Sequence, residues 1–265
     1  MGFLGFTMFL CLLSVARSQE AMDIDIDLLP RALIIEYPET RLKNTSEELH
    51  MQCTSWRVAG ESNNLSPWRT VPVECGDYVK AYMLGRSYYF DLEMVSKEAG
   101  GYAKSLQLKE DGMDAWIFDI DETLLSNLPY YSDHGFGLEV FDSDQFDKWV
   151  LEGVAPVIEP TLKLYEDVLK LGIKIILLTG RTEDKRNVTA TNLMNVGCRK
   201  WDQLILRGDN DQGKPAIAFK SEKRKEIMME GFRIIGNSGD QWSDLVGTST
   251  ASRSFKLSNP MYHIP

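Results

Sequence analysis

The second half of the chain alternates short apolar runs with helical segments, and this alternation restricts the folds open to it. The runs AWIFDI (115–120), IKIILL (173–178), QLILR (203–207) and FRIIG (232–236) are mostly apolar. Such runs are typical of strands that are buried on both faces of a parallel sheet. The segments between them, such as PTLKLYEDVLKLG, have apolar residues at helical spacing. The pattern predicts an α/β fold with a Rossmann-like, doubly wound parallel sheet.

Local signals place the ends of several helices. Thr182 is expected to cap a helix that ends near Gly197, and Ser221 to cap another that ends at Gly231. Residues 77–108 also have helical spacing, and the pair Gly100-Gly101 is expected to divide them into two helices.

The chain is expected to have three parts. Residues 1–18 are mostly apolar, too few to span a membrane, and end in Ala16-Arg17-Ser18, which suits signal peptidase. A short membrane anchor is the alternative. Residues 19–112 form an N-terminal arm and a helical region, and residues 113–265 form the α/β core. No later segment has about 20 consecutive apolar residues, so we expect no membrane attachment of the mature chain.

The chain is acidic, with a formal net charge of −10. Removal of the leader would make it −11, because Arg17 is the only charged residue there. A negative surface argues against a nucleic acid as partner. It leaves open a small phosphate ester, since net charge says little about a local pocket.

A secretory route would favour a disulfide and glycans. Cys53 and Cys75 flank the turn-rich segment GESNNLSP and are the expected pair. Cys198 is left over, and we expect it to be a small buried residue. Glycosylation sequons occur at Asn44 and Asn187, and a third at Asn64 is the weakest because Pro67 follows it.

Polar residues follow the ends of the predicted strands. They are Asp119 and Asp121 after the first strand, Thr179 and Gly180 after the second, and Asp240 and Asp244 after the fourth. Lys220 comes directly before the helix expected to begin at Ser221, and the nearby Lys223 competes with it for the same role. Because parallel strands bind ligands at their carboxyl ends, these side chains are expected to share one crevice.

Carboxylates crowded together repel one another, and a divalent cation is the usual remedy. Oxygen ligands favour Mg²⁺, and His50, His134 and His263 lack the spacing of a zinc site. A metal ion with acids on one side and a lysine and a threonine on the other would bind a phosphoryl group. One carboxylate would serve as the nucleophile and a second would transfer protons. The first strand must end at Asp119 for Asp121 to turn toward the same pocket.

Four motifs at strand ends carry a resemblance to a known superfamily. DIDET, LLTGR, FKSEKR and GNSGDQWSDL, in that order, resemble the haloacid dehalogenase (HAD) superfamily. More narrowly, WIFDIDETLLSNLPYY and GDQWSDLVG resemble the plant class B acid phosphatase and vegetative storage protein family. The resemblance extends over the mature chain, including its ending NPMYHIP. It implies a HAD core with a small insertion after the first motif.

The resemblance also implies a role for each site residue. Asp119 is the nucleophile, and Asp121 is the general acid/base whose backbone carbonyl also contacts Mg²⁺. Asp119, Asp121 and Asp240 bind the metal, and Asp244 supports them. Thr179, Gly180 and Lys220 bind the phosphate. Arg181 is left with two roles, a contact to the substrate or a pairing with an acid.

The implied function is a Mg²⁺-dependent acid phosphatase that hydrolyses phosphomonoesters and is extracellular, in the cell wall or in the vacuole. A storage protein with vestigial activity is the alternative, although the retained Asp119 favours an enzyme. A phosphotransferase would use the same residues, and a homodimer is left open. The aromatic residues between the first two motifs, Tyr130, Tyr131, Phe136, Phe141 and Trp149, either line a slot for the leaving group or pack a small flap.

Overall fold

A computed structural model describes residues 45–265 of the chain. The predicted signal peptide, residues 19–44 and the sequon at Asn44 lie outside the described residues. The extended arm was expected to reach residue 50, which is wrong, because a helix covers Thr45–Glu61. The sequon residues Asn64 and Asn187 are exposed. No helix within the described range is long and apolar enough to cross a membrane.

A parallel sheet forms the centre of the fold, as the sequence predicted. Its strands are β1 (Asp114–Phe118), β2 (Lys174–Thr182), β3 (Gln203–Arg207), β4 (Arg233–Gly239) and β5 (Arg253–Lys256). They lie in the order β3-β2-β1-β4-β5, and all neighbouring pairs are parallel. The edge strand β5 was not predicted, because its short polar sequence RSFK lacks an apolar run.

Helices surround the sheet and precede it in the chain. The helical region contains α1 (Thr45–Glu61), α2 (Gly76–Leu84) and α3 (Arg86–Ser105). The predicted insertion after the first motif contains α4 (Leu128–Asp133) and α5 (Ser143–Glu152). The later helices are α6 (Glu159–Lys170), α7 (Arg186–Asn195), α8 (Ala216–Met229) and α9 (Trp242–Leu245).

The strands carry apolar residues on both faces, so the sheet has two cores. Trp116 and Phe118 of β1 pack into one core, which also contains residues of α3 and α6 such as Leu164. The intervening Ala115 and Ile117 pack on the other face, against residues of α8. Buried faces of this kind explain why the strands read as continuous apolar runs rather than as alternating ones.

A third core joins the N-terminal helices to the insertion. Tyr88 of α3 packs in it with Tyr130 and Tyr131 of the insertion. The disulfide Cys53–Cys75, with a Cα–Cα distance of 5.3 Å, links α1 to the turn before α2 in the same core. The helical region, the insertion and the sheet therefore belong to one compact unit. Cys198 is free and buried in the sheet core, as expected.

Within residues 77–108, the division into two helices was predicted at the wrong glycines. The chain turns at Gly85, where an added Cβ would lie 2.5 Å from the carbonyl oxygen of Ala81. Gly100 and Gly101 instead lie inside α3. Gly100 is buried facing α6, where an added Cβ would be 3.8 Å from Leu164. Packing of α3 against α6 outweighs the poor helix propensity of glycine.

The predicted cap at Ser221 is also wrong, because α8 begins earlier, at Ala216. Pro215 precedes the helix and has a φ of −53°, which suits a helix start. The Ser221 hydroxyl instead accepts a hydrogen bond from the backbone N–H of Thr248 at 3.1 Å. Lys220 consequently lies inside α8 rather than in the loop before it.

The helix expected after Thr182 begins as a short 3-10 turn over Glu183–Lys185 and continues as α7. The Thr182 hydroxyl accepts a hydrogen bond from Nζ of Lys185 at 2.8 Å rather than from a helix backbone N–H. The helix ends at Asn195, and Gly197 follows with a φ of 103°, as expected for a glycine beyond a helix end.

Gly236 in β4 is expected to tolerate no side chain. A Cβ there would lie 2.2 Å from the ring of Trp116, which is completely buried. Gly236→Ala should therefore lower the free energy of unfolding by about 3 kcal/mol through overpacking, as measured by urea denaturation. The matched control is Gly101→Ala, where nothing lies within 4 Å and the residue is helical. It should raise the free energy of unfolding by about 0.5 kcal/mol. Equal effects of the two changes would contradict this account of the sheet core.

Candidate active site

Asp119 lies at the carboxyl end of β1 and is nearly buried, with 6% of its surface exposed. Its backbone N–H donates to the carbonyl of Ser238 in β4 at 3.0 Å, which fixes the point where the chain leaves the strand. Nζ of Lys220 donates to Oδ1 of Asp119 and to Oδ1 of Asp244. Lys220 therefore bridges Asp119, which follows β1, and Asp244, which lies in α9 after β4. Lys223 pairs instead with Glu226 outside this cluster.

Burial dominates the electrostatics of the cluster. It raises the pKa of the Asp119 carboxyl well above its ordinary value, and the Lys220 ammonium opposes this while Asp244 and Asp240 add to it. Burial lowers the pKa of Lys220, but Asp119 and Asp244 raise it by more, so the pKa of Lys220 lies above its ordinary value. The ionised forms of Asp119, Asp240 and Asp244 together would carry more negative charge than the single Lys220 ammonium compensates.

Three of the carboxylates lie close enough together that they could hold a cation. One oxygen from each of Asp119, Asp240 and Asp244 lies within 4.8 Å of the others, and all three residues are buried. The set is purely oxygen, it is under-compensated in charge, and hard divalent ions prefer such ligands. The residues thus fit Mg²⁺. The sequence placed Asp244 in a supporting role, whereas the structure brings its carboxylate into this group.

Asp121 has a separate environment. Its carboxylate accepts two parallel hydrogen bonds from Arg181, Nη2 to Oδ1 at 2.8 Å and Nε to Oδ2 at 3.1 Å. Arg181 is 6% exposed and also donates to the Thr189 hydroxyl at 3.1 Å. Of the two roles that the sequence left open for Arg181, the structure shows the pairing with an acid. A forked contact of this kind fixes the orientation of the carboxylate.

Thr179 and Gly180 were expected after the second strand, but they lie within β2, which continues to Thr182. Thr179 is completely buried, and its hydroxyl accepts a hydrogen bond from the Arg181 backbone N–H at 3.1 Å. Gly180 is exposed to the pocket, and an added Cβ would meet nothing within 4 Å. The backbone at Gly180 is therefore open to a ligand.

Most of these residues line a pocket of about 450 Å³, but the buried Thr179 does not. Its floor contains Asp119, Asp121, Gly180 and Lys220, and its lining also includes Asp240 and Asp244. Its walls contain aromatic residues from the insertion and the C-terminal segment, namely Tyr131, Phe141, Phe146, Tyr262 and His263. Of the aromatic residues considered from the sequence, Tyr131 and Phe141 line the pocket. Tyr130 and Phe136 are buried in the third core, and Trp149 packs against it.

Two residues of the first motif, Glu122 and Thr123, make buried hydrogen bonds near the site that the sequence did not predict. Glu122 is completely buried, and its carboxylate accepts hydrogen bonds from the Tyr88 hydroxyl at 2.7 Å and from the Ser126 hydroxyl at 3.2 Å. Burial is the largest cause that raises the pKa of Glu122 to about 7. The Thr123 hydroxyl donates to Oδ1 of Asp240 at 3.3 Å. Glu122 and Thr123 stand next to Asp121 in the DIDET motif, which could have indicated a role in the site. Their partners Tyr88 and Asp240 are distant in sequence.

Comparison with known proteins supports the assignment that this geometry indicates. Residues 38–265 match the HAD superfamily, subfamily IIIB (acid phosphatase). The chain belongs to this family. The match confirms the predicted family and the predicted enzyme class, an acid phosphatase.

Two relatives agree with this membership, and one solved structure shares the fold. "Acid phosphatase 1" of Solanum lycopersicum is 59% identical over 256 residues, covering 97% of this chain and 98% of that protein. "Vegetative storage protein 2" of Arabidopsis thaliana is 41% identical over 218 residues, covering 82% of each. The class C acid phosphatase from Bacillus anthracis aligns with a TM-score of 0.57 and 19% identity over 70% of this chain and 83% of that one. This last likeness supports the HAD fold alone.

Proposed function

We propose that this member of subfamily IIIB hydrolyses phosphomonoesters with the help of Mg²⁺, through an aspartyl-phosphate on Asp119. The observation that carries the proposal is the contact between Lys220 and Asp119 at the floor of the pocket, with Asp121 lining the same floor. Two carboxylates in different environments are suited to different chemical roles.

The phosphate group would lie against Thr179, Gly180 and Lys220. The backbone at Gly180 is open to the pocket, and the Lys220 ammonium supplies positive charge beside the attacking carboxylate. Phosphoryl transfer requires mainly such positioning and charge compensation. Mg²⁺ held by Asp119, Asp240 and the backbone carbonyl of Asp121 would neutralise further charge on the phosphoryl oxygens.

In the first step, a carboxylate oxygen of Asp119 attacks phosphorus, and the bond from phosphorus to the ester oxygen breaks. Asp121 donates a proton to the departing oxygen, which leaves as an alcohol. In the second step, Asp121 accepts a proton from water, and the water oxygen attacks phosphorus. Inorganic phosphate leaves and the Asp119 carboxylate is restored. The forked contact with Arg181 orients the ionised form of Asp121, which is the base of the second step.

Removal of divalent metal is expected to abolish turnover. Chelation followed by desalting should leave a folded protein without activity, since the cluster of Asp119, Asp240 and Asp244 would keep its excess negative charge. Mg²⁺ should restore activity, and Ca²⁺ should restore much less because it is larger and less strict in geometry. The measurement is hydrolysis of an aryl phosphate against metal concentration. Full activity in the chelated protein would contradict the metal assignment.

The proposed location is outside the cytosol, either extracellular or vacuolar. The disulfide Cys53–Cys75 suits an oxidising route, and the exposed Asn187 is open to glycosylation. A relative with the name "Stem 28 kDa glycoprotein" from Glycine max is 43% identical over 216 residues, covering 81% of this chain and 84% of that protein. These observations support a secreted or vacuolar glycoprotein.

A storage role is the second proposal, since vegetative storage proteins are among the relatives. Retention of Asp119, Asp121, Lys220 and Asp240 favours an active enzyme. The test is a screen of phosphate esters with Mg²⁺ between about pH 4 and pH 8, with alcohols added to detect transfer. Hydrolysis supports the phosphatase, and phosphorylated alcohol would identify a phosphotransferase. No turnover of any ester would leave only the storage role.

A further inference from the structure

The C-terminal segment Asn259–Ile264 packs against the loop that carries the metal-side carboxylates. The backbone N–H of Ile264 donates to Oε1 of Gln241 at 2.9 Å, and the Ser243 hydroxyl donates to the Ile264 carbonyl at 3.0 Å. Tyr262 and His263 of the same segment line the pocket. The ending of the chain is therefore a part of the active-site wall, although the sequence motifs gave it no role.

Asn259 contacts Asp240 directly. Its Nδ2 donates to Oδ2 of Asp240 at 2.8 Å, and both residues are nearly buried, with 4% and 1% of their surfaces exposed. Nε2 of Gln241 donates to the same oxygen at 2.7 Å. Two amide donors therefore fix one side of the Asp240 carboxylate, and Thr123 contacts its other oxygen.

Asn259 is itself held in place by two contacts. Its Oδ1 accepts a hydrogen bond from the Met261 backbone N–H at 3.0 Å, which forms a local turn. Its backbone N–H donates to Oε1 of Glu61, the last residue of α1, at 2.8 Å. Nζ of Lys256 pairs with Oε2 of Glu61 at 2.8 Å. The helix that carries Cys53 thus anchors the segment that contacts Asp240.

We propose that Asn259 is a positioning residue for metal binding, which it supports by orienting the Asp240 carboxylate. The inference rests on the proposed function, in which Asp240 is a ligand of Mg²⁺. Groups that hydrogen-bond to metal ligands fix their orientation, and their loss typically weakens metal affinity by about 10- to 100-fold. Asn259 acts through Asp240, so its removal should affect metal binding more than substrate binding.

Two substitutions separate positioning from turn formation. Asn259→Ala removes both the donor to Asp240 and the acceptor for Met261. Asn259→Ser keeps an oxygen that can accept from the Met261 N–H, but its side chain is too short to reach Asp240. Ser258→Ala is the control, because the Ser258 hydroxyl contacts Glu61 and Tyr82. All variants are full-length, and folding is checked by circular dichroism.

The measurement is the dissociation constant of Mg²⁺ alone, from calorimetry and from the Mg²⁺-dependent shift in the unfolding temperature. Both Asn259 variants should bind Mg²⁺ about 10-fold more weakly, with a KM for an aryl phosphate at saturating Mg²⁺ within about twofold of the unsubstituted protein. Ser258→Ala should bind Mg²⁺ unchanged. If Asn259→Ser binds Mg²⁺ like the unsubstituted protein, or if Ser258→Ala weakens binding equally, the inference is overturned. Absence of Mg²⁺ binding by the unsubstituted protein would instead contradict the proposed function.

Discussion

Asp119→Asn is expected to reduce kcat for an aryl phosphate by about 10⁴-fold or more, because an amide cannot form the acyl phosphate. Asparagine has nearly the same shape as aspartate, so the backbone contact from Asp119 to Ser238 should persist. Lys220 would keep Asp244 as a carboxylate partner. The variant is therefore expected to fold normally.

Asp114→Asn is the matched control for this substitution. Asp114 lies at the opposite end of β1, is 7% exposed, and pairs with Arg233 at 2.8 Å. Its replacement should lower stability by loss of that contact while kcat stays close to that of the unsubstituted protein. Comparable kcat losses in the two variants would mean that Asp119 has no special chemical role.

Asp121→Asn is expected to lower kcat by about 10² to 10⁴-fold, because the leaving oxygen would lose its proton donor and water its base. The decrease in the rate of enzyme phosphorylation should depend on the leaving group of the ester. Esters of acidic phenols need little protonation and should be phosphorylated onto the enzyme almost normally. Esters of aliphatic alcohols should lose the full factor. Single-turnover measurements over a series of esters separate this step from later hydrolysis.

The loss of the contact with Arg181 could lower the amount of folded protein, and the series of esters separates this effect from a loss of proton transfer. Asp121→Asn leaves the buried guanidinium without its carboxylate partner, which is expected to lower stability. A loss of folded protein would reduce the rates of all esters by the same factor. Equal rate losses for acidic phenols and aliphatic alcohols would therefore contradict a proton-transfer role for Asp121.

The sequence predicted the sheet and most of the site because both follow from local patterns. Apolar runs identify the buried strands β1 to β4, and the topology brings their carboxyl ends to one edge. Asp119 and Asp240 meet for that reason, whereas Thr179 is buried beside them in β2 without lining the pocket. Gly180 and Lys220 were also expected there, and both line the pocket.

The features that were missed depend on contacts between distant parts of the chain. Gly100 was expected to end a helix, but burial against α6 keeps it helical. Tyr88 reaches Glu122 from an N-terminal helix, and Asn259 reaches Asp240 from the C-terminal segment. Nothing near either residue in the sequence indicates its partner. The pairing of Arg181 with Asp121 required the geometry of a fork, which residue spacing does not supply.

The most direct test of the proposed mechanism is to trap the phosphorylated enzyme. A reaction of the Mg²⁺-loaded protein with an aryl phosphate would be quenched in acid within one turnover, and the peptides would be mapped by mass spectrometry. The account predicts one phosphoryl group on Asp119, and none in Asp119→Asn. A phosphoryl group on another residue, or continued turnover by Asp119→Asn, would contradict it.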